Sequence, residues 1–251
     1  MEWADGMQAG GGRNALFWNN HDQPRALNRF GDPNEFRVES ATMHATVLHL
    51  FRGTPYVYMG EEIGMTDPEY TSIDDYVDVE AINAHKALVG TGMSDADAFA
   101  VVRAKARDNA RTPMQWEPGP AAGFTTGTPW LHPTNGDLIN AAAEEAGGRI
   151  LPYYRRLIEL RKSHPVISHG ELVGLAPDHP HVFAYERSHA STRLLVLANF
   201  SATATHVEVP TEFTAGRVLI SNTDRLDAPA TSDVELAPYE ALAIILEPSE
   251  S

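Results

Sequence analysis

The residues of this chain whose types and spacing could do chemistry are concentrated in one stretch, residues 19–25, which reads Asn-Asn-His-Asp-Gln-Pro-Arg. It brings amides, an imidazole, a carboxylate and a guanidinium together directly after the apolar run Ala15 to Trp18. Pro24 has no backbone N–H and cannot continue a strand. The polar residues are therefore predicted at the C-terminal end of a strand, where the loops of a parallel α/β fold build active sites.

This stretch has two interpretations. In an ordinary strand-to-helix turn, the side chain of Asn20 or Asp22 would accept hydrogen bonds from nearby backbone N–H groups. The complete string, however, resembles the fourth conserved region of the α-amylase superfamily, glycoside hydrolase family 13, and in particular its oligo-1,6-glucosidase and α-glucosidase branch. The length of the match favours the functional interpretation.

Several later strings resemble the same branch in the same order, so the resemblance extends from Trp3 to about Gly170. They are Gly-Thr-Pro at 53–55, Tyr-Met-Gly-Glu-Glu-Ile-Gly-Met at 58–65, Arg-Asp-Asn-Ala-Arg-Thr-Pro-Met-Gln-Trp at 107–116, Gly-Phe-Thr at 123–125 and Pro-Trp-Leu at 129–131. The resemblance implies the C-terminal part of a (β/α)8 barrel, with strands seven and eight, their helices and an active-site loop excursion between Thr66 and Asn140. Strands one to six are not included, and we expect Met1 to lie inside a longer fold.

The resemblance also implies roles for four side chains. Asp22 is expected to be the catalytic carboxylate that stabilises the transition state, because it would accept hydrogen bonds from the 2- and 3-hydroxyls of the glucose in subsite −1. His21 would donate to the same hydroxyls. Arg107 matches the arginine that binds the 4-hydroxyl in exo-acting relatives, and Arg111 is the second candidate for that role. Each arginine could instead belong to a structural ion pair.

A retaining glycosidase needs a nucleophilic carboxylate and a general acid about 5 Å apart. By resemblance both lie on strands four and five, outside this sequence, while Glu61 and Glu62 are expected to be structural. The chain is thus expected to be inactive alone and to be part of a retaining, exo-acting α-glucosidase for terminal α-1,6 or α-1,4 glucosides. Two alternatives remain open: a transglycosylating or isomerising relative of the trehalose synthase or sucrose isomerase type, and a non-catalytic binding or interaction module.

The composition limits the partners. The 251 residues include 19 Lys and Arg against 34 Asp and Glu, a net charge of −15, which disfavours nucleic acid and suits a small neutral oligosaccharide. No cofactor or metal site is predicted, because the chain has no Cys and its later histidines lack a compact ligand spacing. No apolar run is long enough to span a membrane, and the absence of Cys is compatible with the cytoplasm, where we expect the protein.

The predicted elements divide the chain into a partial α/β catalytic barrel, residues 1–168, and an antiparallel β-sandwich domain, residues 169–251. In the first part, strands 15–18 and 56–59 flank a helix capped by Ser40, and their uncovered edges could allow self-association. Further helices are predicted at 73–89, after Ser94 and at 148–163. The second part has seven short strands at 171–175, 182–186, 193–199, 206–209, 217–220, 234–236 and 241–246. Trp116 and Trp130 are expected to pin their loops to the body, with sugar stacking as the alternative.

Overall fold

A computed structural model describes residues 1–248 of the chain. Its helices are α1 (Glu2–Ala9), α2 (Ala26–Phe30), α3 (Arg37–Leu50), α4 (Val79–Gly90), α5 (Asp95–Arg103), α6 (Asp108–Arg111), α7 (Ala141–Gly147), α8 (Ile150–Ser163) and α9 (Pro165–His169). Its strands are β1 (Ala15–Leu16), β2 (Thr54–Pro55), β3 (Glu171–Leu175), β4 (Val182–His189), β5 (Thr192–Asn199), β6 (Thr205–Glu208), β7 (Arg217–Ser221), β8 (Asp233–Leu236) and β9 (Ala241–Leu246). Short 3-10 helices lie at Glu61–Ile63, Ile73–Asp75 and Thr211–Ala215.

The chain forms two compact units. The first consists of residues 1–17, 31–56 and the chain from 153 onward, and the second consists of residues 18–30 and 57–152. The domain boundary between residues 168 and 169 was predicted from a change in sequence pattern, and it stays a prediction.

The C-terminal part of the first unit is an antiparallel β structure, as predicted. Strands β3, β4, β5, β9 and β7 form one sheet in that order, and β6 pairs with β8. Apolar side chains from both sheets share one core, which includes Leu195, Leu197, Phe213, Leu236 and Ile244. All seven predicted strands are present, and β3 and β9 have the predicted bounds. An α/β segment followed by an antiparallel β domain is therefore confirmed.

Helix α3 differs from its prediction in two respects. It begins at Arg37, so Ser40 lies within the helix and does not cap it. The Ser40 hydroxyl instead accepts a hydrogen bond from the Asp32 backbone N–H at 2.9 Å. Every residue from Ser40 to Leu50 is buried, so this part of the helix is covered on all sides. The sequence had predicted only one buried apolar stripe.

Strands β1 and β2 are parallel, as the predicted strand, helix and strand unit requires. They are shorter than predicted, and β2 lies before the apolar run 56–59. Gly53 allows this pairing: it has φ +155°, and a Cβ there would lie 2.6 Å from the Asn14 carbonyl oxygen. Tyr56 consequently falls after the strand and is 59% exposed.

Helices α4 and α5 and the neighbouring loops of the second unit contribute to a small core. The predicted helix 73–89 is divided into a 3-10 helix and α4, because Ser72 and Asp75 form a capping box and Asp78 caps α4. Ser94 caps α5, as predicted, by accepting from the Asp97 N–H. The core of this unit contains Tyr70, Tyr76, Ala81, Val102, Ala106 and Leu131.

No helix within residues 1–248 has the length and apolar character needed to cross a bilayer. Within the same residues, no three His, Cys, Asp or Glu side chains are grouped so that they could hold a metal ion.

Candidate active site

The loop of residues 19–25 belongs to the second unit, and a buried asparagine fixes its beginning. The Asn19 amide nitrogen donates to Glu61 Oε2 at 2.6 Å, and its Oδ1 accepts from the Ala26 backbone N–H at 2.6 Å. Glu61 is itself only 8% exposed. Glu61 therefore makes a structural contact that ties its 3-10 helix to the loop.

Asp22 stands out from this loop with half of its side chain exposed. Its backbone N–H donates to Asn20 Oδ1 at 2.8 Å, so the turn contact considered from the sequence is made by Asn20. The His21 Nε2 lies 3.2 Å from Asp22 Oδ2. Asp22 Oδ1 accepts a hydrogen bond from Arg111 Nη2 at 2.9 Å. The Asp22 carboxylate is thus fixed on one side and open to solvent on the other.

The two arginines differ in how they approach Asp22. Arg111 donates to the Asp22 carboxylate and, through Nε at 2.8 Å, to the His21 carbonyl oxygen. Arg107 Nη1 lies 3.9 Å from Asp22 Oδ1, while its Nε and Nη2 donate to the two carboxylate oxygens of Asp78 at 2.8 and 2.6 Å. The four residues chosen from the sequence therefore converge, with Arg111 closer to Asp22 than Arg107. Their catalytic and binding roles stay predictions.

Two carboxylates that the sequence analysis did not select hold these arginines. The hydrogen bond from Arg107 lowers the pKa of Asp78, and the same bond raises the pKa of Arg107. Asp108 is fully buried; its Oδ2 accepts from the Val77 and Asp78 backbone N–H groups, and its Oδ1 lies 3.8 Å from Arg111 Nη1. The position of Asp78 just before an apolar helix was the available sequence signal, because Asp is a favoured N-cap residue.

Asp67 connects the loop of residues 19–25 to helix α6. Its Oδ1 accepts from the Arg25 N–H at 2.7 Å, its Oδ2 accepts from the Asn109 amide at 3.2 Å, and its own N–H donates to Asn28 Oδ1 at 2.8 Å. The pKa of this carboxyl is raised to about 6, mainly by burial. The hydrogen bonds from Arg25 and Asn109 and the charge of Arg25 lower the pKa, but by less than burial raises it. Asp67 thus links the segment that carries Asp22 to the segment that carries the arginines.

Arg25, the last residue of the loop, is buried and supports it from beneath. It is 1% exposed, and its Nη1 donates to the Met59 carbonyl oxygen at 2.6 Å. Its guanidinium carbon lies 5.5 Å from the centre of the Tyr58 ring. Burial lowers the pKa of Arg25. Arg25 is therefore packed against Met59 and Tyr58 and is shielded from solvent, whereas Asp22 is half exposed.

The tryptophans of the excursion do not have the predicted arrangement. Trp116 is 52% exposed and Trp130 is 67% exposed, so these rings do not anchor their loops by burial. The neighbouring Leu131, which is 1% exposed, anchors this loop instead by packing into the core of the second unit. Leu131 belongs to the Pro-Trp-Leu string at 129–131, but no anchoring role was predicted for it.

Two known family descriptions match successive parts of the chain. The family description "Alpha amylase, catalytic domain" matches residues 1–170, and "Maltogenic Amylase, C-terminal domain" matches residues 173–242. The chain therefore belongs to the α-amylase family, glycoside hydrolase family 13, and comprises a segment of the catalytic domain followed by the C-terminal domain.

Within this family the chain is similar to two groups of curated hydrolases. It is 42% identical over 248 residues to the trehalose-6-phosphate hydrolase of Bacillus subtilis, covering 96% of this chain and 44% of that protein. It is 43% identical over 243 residues to the oligo-1,6-glucosidase of Halalkalibacterium halodurans, covering 95% and 43%. The crystal structure of Bacillus licheniformis trehalose-6-phosphate hydrolase has a TM-score of 0.92 at 40% identity, covering 97% and 45%. The chain thus spans less than half the length of these relatives.

Proposed function

We propose that the chain is the C-terminal part of a retaining, exo-acting α-glucosidase that cleaves terminal α-1,6 or α-1,4 glucosides of small oligosaccharides. In this proposal Asp22 stabilises the transition state, His21 binds the same sugar hydroxyls, and Arg107 and Arg111 bind the terminal glucose. The nucleophile and the general acid come from sequence outside the chain. No nucleic acid, membrane or cofactor takes part.

The observation that carries the proposal is the Asp22 carboxylate, half exposed and held by Arg111 at 2.9 Å. A carboxylate fixed in this way can accept hydrogen bonds from sugar hydroxyls and favour a positively charged sugar ring. His21 lies beside it with a side chain that is 70% exposed, so its imidazole is also accessible to a ligand. Identity above 40% to oligo-1,6-glucosidases supports the reaction class.

Three other functions stay open as alternatives: trehalose-6-phosphate hydrolysis, sugar isomerisation and a non-catalytic binding role. Trehalose-6-phosphate hydrolase of Bacillus subtilis is as similar as the oligo-1,6-glucosidases. An isomaltulose synthase from Erwinia rhapontici has a TM-score of 0.89 at 35% identity, which keeps an isomerising relative as an alternative. A non-catalytic module is the third. Assay of the complete protein with isomaltose, maltose, trehalose 6-phosphate and sucrose separates these functions.

The decisive variant is Asp22→Asn in a complete enzyme containing this segment. The amide has nearly the same shape but no charge, and loss of one positioned electrostatic group costs about 3 to 4 kcal/mol of transition-state stabilisation. We expect kcat/KM to fall by about 10² to 10³ while the circular dichroism spectrum is unchanged.

Two comparisons make this experiment specific. His21→Ala should have a smaller effect than Asp22→Asn, because one hydrogen-bond donor is lost while the Asp22 carboxylate remains. Asp97→Asn, on the exposed start of α5, is the matched control and should leave kcat/KM unchanged. Near wild-type kcat/KM in Asp22→Asn would refute the assignment. An upstream reading frame encoding Gly-Phe-Arg-x-Asp would support an enzyme over a binding module.

A further inference from the structure

Asp78 has two structural roles in the second unit. Its Oδ1 accepts from the Glu80 backbone N–H at 3.2 Å, which caps the N-terminus of α4. Both oxygens of the same carboxylate also accept hydrogen bonds from the Arg107 guanidinium, and the side chain is only 5% exposed. The residue therefore combines a helix cap with a bidentate ion pair in which the carboxylate is buried and the Arg107 side chain is 32% exposed.

Arg107 lies between Asp78 and Asp22. Its Nη1 is 3.9 Å from Asp22 Oδ1, which is beyond hydrogen-bond distance, and Arg111 already donates to that oxygen. Because the Asp78 side chain is buried and that of Asp22 is half exposed, water and salt weaken the attraction of Arg107 to Asp22 more strongly. The guanidinium is thus held by Asp78.

We propose that Asp78 is a positioning residue that keeps Arg107 away from the Asp22 carboxylate and so leaves Asp22 free to accept hydrogen bonds from the sugar. This inference rests on the proposed function of Asp22. A carboxylate offers about four lone-pair positions; at Asp22, Arg111 occupies one on Oδ1, and His21 Nε2 lies 3.2 Å from Oδ2. A second arginine that paired with Asp22 bidentately would occupy the positions that the substrate needs.

Asp108 holds the backbone on which Asp78 lies. Its Oδ2 accepts the backbone N–H groups of Val77 and Asp78 at 2.9 and 2.8 Å, and its side chain is 0% exposed. These two bonds fix the backbone of Asp78 independently of its own carboxylate. A change confined to the Asp78 side chain should therefore leave its Cα in place.

The test is Asp78→Asn in the complete enzyme, assayed with whichever α-glucoside the enzyme hydrolyses. Asn is as good an N-cap as Asp, so α4 keeps its start while the charge that holds Arg107 is lost. The freed Arg107 then competes with the substrate for Asp22, and saturating substrate displaces it. We expect KM to rise about tenfold and kcat to change less than about twofold, the size of effect typical of directly coupled residues.

A double-mutant cycle separates positioning from a merely structural role. Because Asp78 acts through Arg107, Asp78→Asn should raise KM no further in an Arg107→Gln background. Glu80→Gln is a graded control: its Oε2 lies 3.2 Å from Arg107 Nη2, but its side chain is 73% exposed, so a small effect is expected. Asp97→Asn, whose Oδ2 accepts from Ser94, is the control without an arginine contact.

The outcomes distinguish this inference from the proposed function. If the complete protein does not hydrolyse α-glucosides, or if Asp22→Asn is fully active, the proposed function fails. If Asp22→Asn is inactive but Asp78→Asn keeps the wild-type KM, the positioning role of Asp78 is refuted. The same conclusion follows if the KM increase persists in Arg107→Gln. Should Asp78→Asn fold poorly by circular dichroism, Asp78→Ser, which also caps helices, is tested in the same cycle with the same criteria.

Discussion

At the scale of single residues, the contacts of the two arginines near Asp22 depend on a carboxylate from another segment of the chain, Asp78. Arg107 is matched by resemblance to a sugar-binding arginine, yet it pairs with Asp78, while Arg111 is the arginine in hydrogen-bond contact with Asp22. The motif predicts which residue types meet. The motif does not predict which arginine pairs with Asp22 and which pairs with Asp78. Asp78 is the N-cap of α4, so its position depends on where that helix begins.

Asp67 leads to a pH-dependent prediction. Its pKa in the folded protein is about 6, compared with an ordinary value of 3.8, so between these values the folded state binds more protons than the unfolded state. The contribution of Asp67 to stability is therefore greatest below about pH 4 and is lost as the pH rises through about 6. Allowing for partial exposure, the loss is about 2 kcal/mol.

Asp67→Asn tests this prediction, since the amide keeps Oδ1 as the acceptor for the Arg25 N–H and does not titrate. Urea unfolding of the wild type and the variant at pH 4, 5, 6 and 7, with tryptophan fluorescence as the signal, gives their difference in unfolding free energy. We expect the variant to gain on the wild type as the pH rises. A difference that is constant across this range would contradict the raised pKa.

At the scale of elements, the strands of the C-terminal domain were predictable because alternating apolar residues and regularly spaced turn residues act locally. The start of α3 was not predictable in this way. A serine before an apolar helical pattern is a normal cap signal, but Ser40 is buried inside α3, where its hydroxyl bonds the Asp32 N–H. A hydrogen bond to a residue in the segment before the helix thus replaces the expected cap.

The first turn of helix α8 is capped by a side chain from α7. Glu144 is 7% exposed, and its Oε2 accepts from the Ile150 and Leu151 backbone N–H groups at 2.9 and 3.1 Å. A carboxylate at a helix N-terminus satisfies unpaired donors and interacts favourably with the helix dipole. Glu144→Ala should therefore lower the free energy of unfolding by about 1 to 2 kcal/mol, as measured by urea unfolding.

Two companion variants define what Glu144 contributes. Glu144→Gln keeps an acceptor oxygen but loses the charge, so it should lose only part of the stability. Glu159→Ala, on the exposed side of α8 and 3.6 Å from Arg156, should change stability by less than about 0.5 kcal/mol. The capping role would be excluded if Glu144→Ala were no more destabilising than Glu159→Ala.

At the scale of the whole molecule, the first unit is held together by side chains that bind the C-terminal end of α3. The Tyr185 hydroxyl donates to the Val47 carbonyl oxygen at 3.0 Å, and Arg187 donates to that of Leu50 at 2.7 Å. Both side chains are 0% exposed. Since helix ends leave carbonyl groups unpaired, these contacts complete α3 from the antiparallel sheet. No local pattern in either segment predicts them, because the partners are 138 and 137 residues apart.

The last prediction concerns the chain alone: we expect it to self-associate and to show no hydrolysis of isomaltose, maltose or p-nitrophenyl α-glucoside. Strands β1 and β2 form a sheet of only two strands within the described chain, and Phe17 and Tyr56 beside them are 52% and 59% exposed. Short sheets with uncovered edges and exposed aromatic residues favour association. Hydrolysis is not expected because, in the proposed mechanism, the nucleophile and the general acid lie outside the chain.

Sedimentation velocity over a range of concentrations measures the association, and Phe17→Lys combined with Tyr56→Lys should reduce it by adding charge beside the strand edges. Trp3→Lys, which changes an equally aromatic residue that is 86% exposed on α1, is the matched control and should leave association unchanged. Co-expression with barrel strands one to six should restore the monomer and α-glucosidase activity together. Robust turnover by the highly purified chain would show that the catalytic carboxylates are within these 251 residues, and a monomer at every concentration would refute the edge prediction.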